Sequence, residues 1–401
     1  MSAITTTAKV RAVTGNQAVA LAMKQIDPDV VAAYPITPQT DVVQTFSQYV
    51  ADGAVRAEFV TAESEHSAMS ACIGSAAAGA RTMTATSSAG FALMWEVLFV
   101  AASMRLPLVM TTVNRALSGP INIHCDHSDS MGGRDTGWLQ IYNEDAQEAY
   151  DATVMSFPIA EHAAVRLPLM NMYDGFIISG AIGPLVPLSD GQVQAFVGEA
   201  PPYKHLLQPN DPITVGPFDG LHGWYFEHKI AQNRAMEAAL PVIQETYDRF
   251  AELTGRRYHH LMTYGMEDAE VALVVIGSAA GTARSVMKQL REEGIKAGIV
   301  KIRTFRPFPT EELARVLSGV KAVGIMDRAD SYGAQGGPLY LEVLAALYQR
   351  DVQAKTVNFV YGLGGRDLFP QNIEDAFRTL EAAAGGADLP YYRIYLNMKG
   401  E

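Results

Sequence analysis

YPITPQT at residues 34–40 begins at the last residue of the apolar run 30–34, and the two together indicate the fold. A turn rich in Pro and Thr after such a run lies where a parallel sheet presents its ligand-binding edge. Two further predicted strands also end in polar turns, SSAG at 87–90 and NRAL at 114–117. Between the first two strands, AESEH at 62–66 opens a helix of small residues. Polar tips after three strands therefore predict one ligand site at the edge of one sheet.

The alternation of helices and strands around these turns predicts a parallel α/β sheet. The predicted helices are 15–26, 64–79, 91–103 and 145–155, and the strands are 30–34, 81–86 and 106–113, with the apolar run 175–182 extending the unit. Residues 184–226 are rich in Pro, Gly and aromatic residues without a period. We therefore expect the first domain to span 1–228.

A second alternating array follows a polar helix predicted at 229–254. Its predicted strands are 271–276, 297–302, 322–326 and 356–360, and its helices are 282–293, 310–317 and 337–348. We expect a helical linker at 229–265 and a second α/β domain at 266–401.

Composition excludes several classes of function. The chain has 401 residues, 48% of them hydrophobic, and can bury the cores of two or three domains. Its net charge of −12 argues against a nucleic-acid surface. No apolar run reaches the length of a membrane span, and the Thr-rich start lacks a secretory pattern, so we expect a cytoplasmic protein. Two cysteines, Cys72 and Cys125, cannot build a four-thiolate cluster, so any electron relay lies on another chain.

These motifs resemble a known enzyme family. Their order and spacing, together with DHSD at 126–129, RDTG at 134–137 and YGLGGRD at 361–367, are similar to the α subunits of the 2-oxoacid:ferredoxin oxidoreductases. The form YPITPQT is most similar to the pyruvate-specific branch, and the resemblance covers nearly the whole chain. It implies a thiamin-diphosphate-binding domain of the pyrimidine type, followed by a domain like the C-terminal domain of transketolase.

The resemblance implies a reaction and a set of partners. Pyruvate and coenzyme A would give acetyl-CoA and CO₂ with electrons passed to ferredoxin, or the reverse. Thiamin enzymes hold the diphosphate through a metal bound by Gly-Asp-Gly, which does not occur in this sequence. We therefore expect the diphosphate and Mg²⁺ on a β subunit, and the [4Fe-4S] clusters on γ and ferredoxin-like subunits. The alternatives are a 2-oxoglutarate or branched-chain 2-oxoacid enzyme, and a catalytically silent scaffold of the same fold.

Glu65 is the first candidate catalytic residue. Thiamin catalysis uses a carboxylate that hydrogen bonds the pyrimidine ring nitrogen and favours the tautomer that can take a proton. The family's Ser-Glu pair selects Glu65, with Glu63 as the fallback. The alternative is that both glutamates are ordinary first-turn acids favoured by the helix dipole.

Thr37 and Arg115 are the candidate substrate-binding residues. The resemblance gives the Thr37 hydroxyl to the oxoacid, whereas a threonine between prolines is also common in turns and helix caps. Arg115 could bind a carboxylate through a bidentate pair of hydrogen bonds, although an arginine after a strand is often a solvated surface charge. The resemblance also places Pro35, Ile36 and Ser88 among the cofactor-binding residues.

Two other patterns favour simpler interpretations. The loop 122–129 holds two histidines, two aspartates and a cysteine, but without a supporting ligand cluster we expect no metal on this chain. In the family this stretch resembles part of the active-site wall and a subunit contact. The turn 277–281, GSAAG, could hold a phosphate, but it lacks the spacing of a dinucleotide fingerprint and a phosphate-loop lysine. A tight strand-to-helix turn is the simpler interpretation.

Overall fold

The computed structural model describes residues 9–201, 203–216, 218–389 and 392–400; residues 1–8, 202, 217, 390–391 and 401 of the expected domains lie outside this description. The strands are β1 Arg11–Thr14, β2 Val30–Ala33, β3 Glu58–Thr61, β4 Thr82–Thr86, β5 Val109–Asn114, β6 Leu139–Asn143, β7 Leu169–Asp174, β8 Ile182–Leu185, β9 Leu261–Tyr264, β10 Val271–Val275, β11 Ala297–Ile302, β12 Thr304–Arg306, β13 Ala322–Asp327, β14 Lys355–Val360 and β15 Arg393–Tyr395. The α-helices are α1 Gly15–Ile26, α2 Thr40–Ala51, α3 Glu65–Ala77, α4 Ser88–Leu93, α5 Trp95–Ser103, α6 Ser128–Gly132, α7 Ala146–Ala160, α8 Asp190–Val197, α9 Tyr225–Thr254, α10 Ala279–Glu292, α11 Thr310–Leu317, α12 Pro338–Gln349 and α13 Pro370–Ala384.

The first sheet carries the polar turns at one edge. Its seven strands run in the order β12-β6-β7-β5-β4-β2-β3, and all of them are parallel except β12, which pairs antiparallel with β6. Strands β4, β5 and β7 are buried along their whole length, as expected for parallel strands covered by helices on both faces. The turns after β2, β4 and β5 therefore open at the same edge, as the sequence predicts.

The second sheet has six strands in the order β15-β14-β13-β10-β11-β9, with β9 antiparallel to β11 and the other pairs parallel. It is covered by helices such as α10 and α13, whose apolar faces bury Val286, Leu290, Phe377 and Leu380. The parallel α/β fold class predicted from the alternating pattern is confirmed.

The two sheets are joined by more than the chain between them. Helix α9 buries Val242, Ile243 and Phe250 in the same hydrophobic core as α1 and α7. Strand β12 comes from the second half of the chain and pairs with β6 of the first sheet. None of the helices in the described ranges combines the length and the apolar character that crossing a membrane requires.

Three expectations about individual elements are wrong. The run 175–182 does not extend the parallel unit, because it is mostly a turn, and β8 after it pairs antiparallel with β1. The predicted helix 91–103 is divided into α4 and α5. Helix α8 lies in the region interpreted as irregular, and it begins with a capping box formed by Ser189 and Gln192.

Candidate active site

The turn after β2 is held in place by Gln39. The buried Gln39 side chain accepts a hydrogen bond from the backbone N–H of Ile36 at 3.1 Å and donates one to the carbonyl of Ala85 in β4 at 2.8 Å. The turn is thus tied to the neighbouring strand, while the side chains of Pro35 and Thr37 are exposed and Ile36 is half-buried. Thr37 lines a cavity of about 220 Å³. Its hydroxyl is therefore accessible to a ligand.

Glu65 begins helix α3 and turns inward. Its side chain is only 4% exposed, although it stands in the first turn of a helix. A Cβ on Gly90 of α4 would lie 2.6 Å from Glu65 Oε1, so the close approach of α4 requires glycine there. No donor among the described residues hydrogen bonds the Glu65 carboxylate. The carboxylate is therefore available to accept a hydrogen bond from another molecule.

Glu63, the fallback, is in a different environment. Its side chain is exposed, and its carboxylate accepts a hydrogen bond from the Ser67 hydroxyl at 2.6 Å. This bond lowers the pKa of Glu63. Glu63 is therefore a solvated acid that precedes the N-cap Ser64, whereas Glu65 stands in the first turn but is buried.

The end of β4 and the turn after it hold further buried polar atoms, of which Thr86 Oγ1 lies near Glu65. Thr86 Oγ1 and Ser87 Oγ are buried and have no hydrogen-bond partner among the described residues. Ser88 differs, because its hydroxyl donates to the carbonyl of Ala116 and its backbone N–H donates to Asp129 Oδ2 at 2.9 Å. The hydroxyl and the backbone N–H of Ser88 are thus already hydrogen bonded within the protein, whereas the Ser87 hydroxyl is not. The assignment of Ser88 to the cofactor stays a prediction.

Arg115 reaches across the edge of the sheet to the Thr37 turn. Its Nη1 donates to the carbonyl of Thr37 at 2.9 Å, and its Nε donates to the carbonyl of Asn122 at 3.2 Å. The residue is 6% exposed, so it is not the solvated surface charge considered above. Within the described ranges, no carboxylate forms an ion pair with this guanidinium. A buried cation without a counter-ion favours an anionic ligand at this position.

Asp129 connects these turns, a role that sequence reasoning missed. The carboxylate accepts hydrogen bonds from the backbone N–H groups of Ser88, Arg115 and Ser130 and from Asn114 Nδ2, at 2.7–3.0 Å. Burial raises the pKa of Asp129 to about 6, although these hydrogen bonds lower it. The DHSD motif signalled that this loop matters, but not that one of its carboxylates holds the ends of β4 and β5 together.

The same loop contacts the second half of the chain. His127 Nε2 lies 2.6 Å from Asp174 Oδ1, and Arg328 Nη1 lies 2.9 Å from Asp174 Oδ2. Burial would raise the pKa of Asp174, but His127 and Arg328 hold it below its usual value. Cys125, His127 and Asp174 could together hold a metal ion, since their ligand atoms lie within 4.8 Å of one another. Arg328 already supplies positive charge to Asp174, and the absence of a metal on this chain stays a prediction.

Two more contacts join the first half of the chain to the second half next to the candidate site. Asn122 Nδ2 donates to the carbonyl of Gly364 at 2.9 Å, so the loop that contacts Arg115 also contacts the YGLGGRD segment. At the turn 277–281, the backbone N–H of Ser278 donates to Asp174 Oδ2 at 3.2 Å. The Asp174 carboxylate thus lies at the start of α10, where a bound phosphate would otherwise lie, which supports the simple interpretation as a tight turn.

Known protein families match most of the chain. Residues 21–248 match the family model "Pyruvate flavodoxin/ferredoxin oxidoreductase, thiamine diP-bdg". Residues 269–373 match "Pyruvate:ferredoxin oxidoreductase core domain II".

Similar proteins and structures agree with these matches. "Pyruvate synthase subunit PorA" of Thermotoga maritima is 52% identical, over 97% of this chain and 98% of its own length. The protein of the same name from Methanocaldococcus jannaschii is 43% identical over 96% and 98%, and "Ketoisovalerate oxidoreductase subunit VorA" of Pyrococcus horikoshii is 39% identical over 96% and 98%.

Solved structures share the fold. A 2-oxoglutarate:ferredoxin oxidoreductase from Magnetococcus marinus, solved with 2-oxoglutarate, coenzyme A and succinyl-CoA, aligns with TM-score 0.70 at 20% identity over 92% of this chain, which spans 65% of that chain. A split-gene transketolase aligns with TM-score 0.54 at 13% identity over 92% of this chain and 98% of its own. The resemblance found in the sequence is confirmed, and the chain belongs to the pyruvate flavodoxin/ferredoxin oxidoreductase family.

Proposed function

We propose that this chain is the subunit of a pyruvate:ferredoxin oxidoreductase that binds the pyrimidine half of thiamin diphosphate. The observation that carries the proposal is a pair of unmatched buried charges at one edge of the sheet. The Glu65 carboxylate has no donor and the Arg115 guanidinium has no carboxylate partner among the described residues. A cofactor nitrogen and a substrate carboxylate would satisfy both. The reverse reaction, pyruvate synthesis, uses the same groups.

The residues around Glu65 fit thiamin diphosphate. When bound, this cofactor supplies the nucleophilic carbon and the electron sink that decarboxylation of a 2-oxoacid requires. Glu65 would accept a hydrogen bond from the pyrimidine ring nitrogen at its carboxylate, while Gly90 leaves room for that carboxylate. The unpartnered hydroxyl of Thr86, which faces Gly90 as Glu65 Oε1 does, offers a further polar contact beside it. Pro35 and Ile36 would line the cofactor from the neighbouring turn.

Thr37 and Arg115 would bind the oxoacid. The hydrogen bond from Arg115 Nη1 to the Thr37 carbonyl fixes the two residues beside each other. The guanidinium would orient the substrate carboxylate and stabilise charge as CO₂ leaves, and the exposed Thr37 hydroxyl would contact the same substrate. A threonine here, rather than a cation, favours a substrate with a neutral methyl group.

Other chains would complete the enzyme. The sequence contains no Gly-Asp-Gly motif and only two cysteines, both of them buried and unpaired. A β subunit would therefore bring the diphosphate and Mg²⁺ site. The γ and ferredoxin-like subunits would bring the remaining domains and the [4Fe-4S] clusters, and soluble ferredoxin and coenzyme A would be the other reactants. We place this complex in the cytoplasm.

Reduction of ferredoxin or a viologen dye by the anaerobic complex tests the proposal. Pyruvate, 2-oxoglutarate and 2-oxoisovalerate are supplied in parallel, with the wild-type chain and with Glu65→Gln. We expect selective turnover of pyruvate, and a loss of about 10²-fold or more in the variant, as removal of an acid–base group causes. Glu63→Gln is the matched control, since Glu63 stands two positions earlier with an exposed side chain, and it should keep wild-type activity.

The other outcomes separate the rival functions. Preference for 2-oxoisovalerate would assign the chain to the ketoisovalerate branch, which the 39% identity to a VorA subunit makes the second candidate. Preference for 2-oxoglutarate would assign it to that sister group. Full activity of Glu65→Gln would show that the glutamate is wrongly placed, and an assembled wild-type complex without turnover of any of the three would favour a silent scaffold.

A further inference from the structure

We propose that an apolar face formed by α4, α5 and a neighbouring arm is the docking surface for the chain that brings the diphosphate half of the cofactor site. The arm comprises residues 203–216 and 218–224, together with the first turns of α9 up to residue 234. This inference rests on the proposed function, and it adds the place on this chain where that partner binds.

Helices α4 and α5 expose large apolar side chains beside the exposed Glu96 of α5. Leu93, Trp95 and Val100 are exposed, whereas Phe91 and Leu98 are buried in the core. Clustered large apolar side chains on a surface often mark a protein interface. These side chains therefore form a candidate contact surface on α4 and α5.

The arm carries a second group of exposed apolar side chains. Phe218 and Leu221 are each 95% exposed, and Trp224 and Phe226 are 69% and 72% exposed. Aromatic residues are concentrated at the energetic centres of protein interfaces. With Tyr225, which is 62% exposed, five large apolar side chains are exposed within nine residues, as is typical of an interaction site.

The arm and the helices form one continuous surface. The first buried residue of α9 is Ala235, so its first ten residues, about 15 Å of helix at 1.5 Å per residue, extend beyond the core. Between this extension and α5 lies a groove of about 580 Å³, lined by Val100, Met104, Val215 and Tyr225. A partner that covers α4 and α5 can therefore also fill the groove and contact the arm.

The position of Glu65 identifies the occupant. Gly90 of α4 is in contact range of the Glu65 carboxylate, so the apolar face begins at the cofactor site. The chain that completes this site must approach along the same helix. A second copy of this chain brings no Gly-Asp-Gly motif, and a copy on this face would exclude the chain that does. Continuity with the incomplete site thus favours the diphosphate-binding partner over a second copy.

The test uses the complete complex, assembled from subunits of which only this chain is tagged. The double variant Phe218→Ser/Trp224→Ser should weaken recovery of the diphosphate-binding subunit by about 10-fold or more, because interface aromatics carry much of the binding energy. It should also weaken the binding of thiamin diphosphate in a calorimetric titration of the recovered complex. Tyr332→Ser/Tyr348→Ser is the matched control, since these residues are 94% and 86% exposed in the second half of the chain, and its recovery should be unchanged.

Three results would overturn the proposal. In the first, the arm variant recovers as much of that subunit as the wild type does. In the second, the control variant loses as much of it as the arm variant. In the third, the arm variant changes only the self-association of this chain. Leu93→Glu, which changes the α4 end of the face without touching the arm, should reproduce the arm defect. Failure of the docking proposal leaves the proposed function standing if the Glu65→Gln complex assembles but is inactive.

Discussion

At the scale of single residues, the structure separates side chains that the sequence presents as equivalent. Glu63 and Glu65 both stand at the start of one helix, but only the second is buried. Ser87 and Ser88 are adjacent, yet only Ser88 is bonded through its hydroxyl to the protein. Such differences depend on which neighbour reaches the side chain from another element, and sequence patterns do not contain that information. The choice of Glu65 needed the family resemblance as well.

Gly90→Ala should damage the site without removing any polar group. The added methyl group would lie 2.6 Å from both Glu65 Oε1 and Thr86 Oγ1, so the carboxylate must move. We expect the affinity for thiamin diphosphate to fall by at least about 10-fold, since displacing a positioning group by about 1 Å is enough for such a loss. Calorimetric titration of the complex with the cofactor measures this.

Gly74→Ala is the control for that variant. Gly74 lies in α3, the same helix as Glu65, and a Cβ there meets nothing within 4 Å. It should leave the affinity unchanged, or improve helix stability slightly. Equal cofactor affinity in Gly90→Ala and the wild type would mean that Glu65 does not need its present position.

At the scale of secondary structure elements, the sequence predicted those elements whose pattern is set by local burial. Helix α1 and strand β11 begin and end where predicted, because their apolar spacing is undisturbed. Strand β7 was missed because Asn171 and Asp174 interrupt its apolar run, although both are buried. The Asn171 amide donates to Thr153 Oγ1 at 2.6 Å, so a contact with another element satisfies it. Polar residues satisfied by distant partners are invisible to a periodicity argument.

The start of α12 should respond to pH. The carboxylate of Asp327 accepts hydrogen bonds from the backbone N–H groups of Leu339 and Tyr340, and burial raises its pKa to about 7. Because the folded pKa lies above the unfolded value of about 4, this group contributes stability below pH 4 that is lost as the pH rises through 7. The stability of the wild type relative to Asp327→Asn should therefore decrease between pH 4 and pH 7.

Denaturant unfolding of the two proteins at a series of pH values measures that dependence. The difference in unfolding free energy should change by a few kcal/mol across this range, since each pKa unit corresponds to about 1.4 kcal/mol. A constant difference from pH 4 to pH 8 would mean that Asp327 titrates normally. Asp351→Asn is a suitable control, because its side chain is exposed.

At the scale of the whole molecule, polar contacts between the two halves of the chain surround the candidate site. The boundaries 1–228, 229–265 and 266–401 stay predictions, but α9 buries its apolar face against the first core and β9 pairs in the second sheet. The sequence predicted two α/β units and could not predict their junction. The residues that join them, such as Asp174 and Arg328, are far apart along the chain.

Arg328→Met should weaken the junction. Arg328 and Asp174 are both buried, and removal of Arg328 leaves His127 as the remaining ion-pair partner of Asp174. We therefore expect a loss of at most about 3–5 kcal/mol, which is the cost of an uncompensated buried charge. We expect the midpoint of thermal unfolding to fall by several degrees, with the two halves unfolding separately in calorimetry. Arg378→Met removes surface ion pairs on α13 and should change stability by less than about 1 kcal/mol. Similar losses in both variants would contradict a special role for the junction.

Asn122 connects the candidate site to the second half of the chain through two hydrogen bonds. Its backbone carbonyl accepts a hydrogen bond from Arg115 Nε, and its side-chain Nδ2 donates one to the carbonyl of Gly364 in the second half of the chain. Arg115, at the proposed oxoacid end of the site, is thus connected through Asn122 to the segment around Gly364 in the second half of the chain. We therefore expect a partner that displaces the segment around Gly364 to change the position of the Arg115 guanidinium through Asn122.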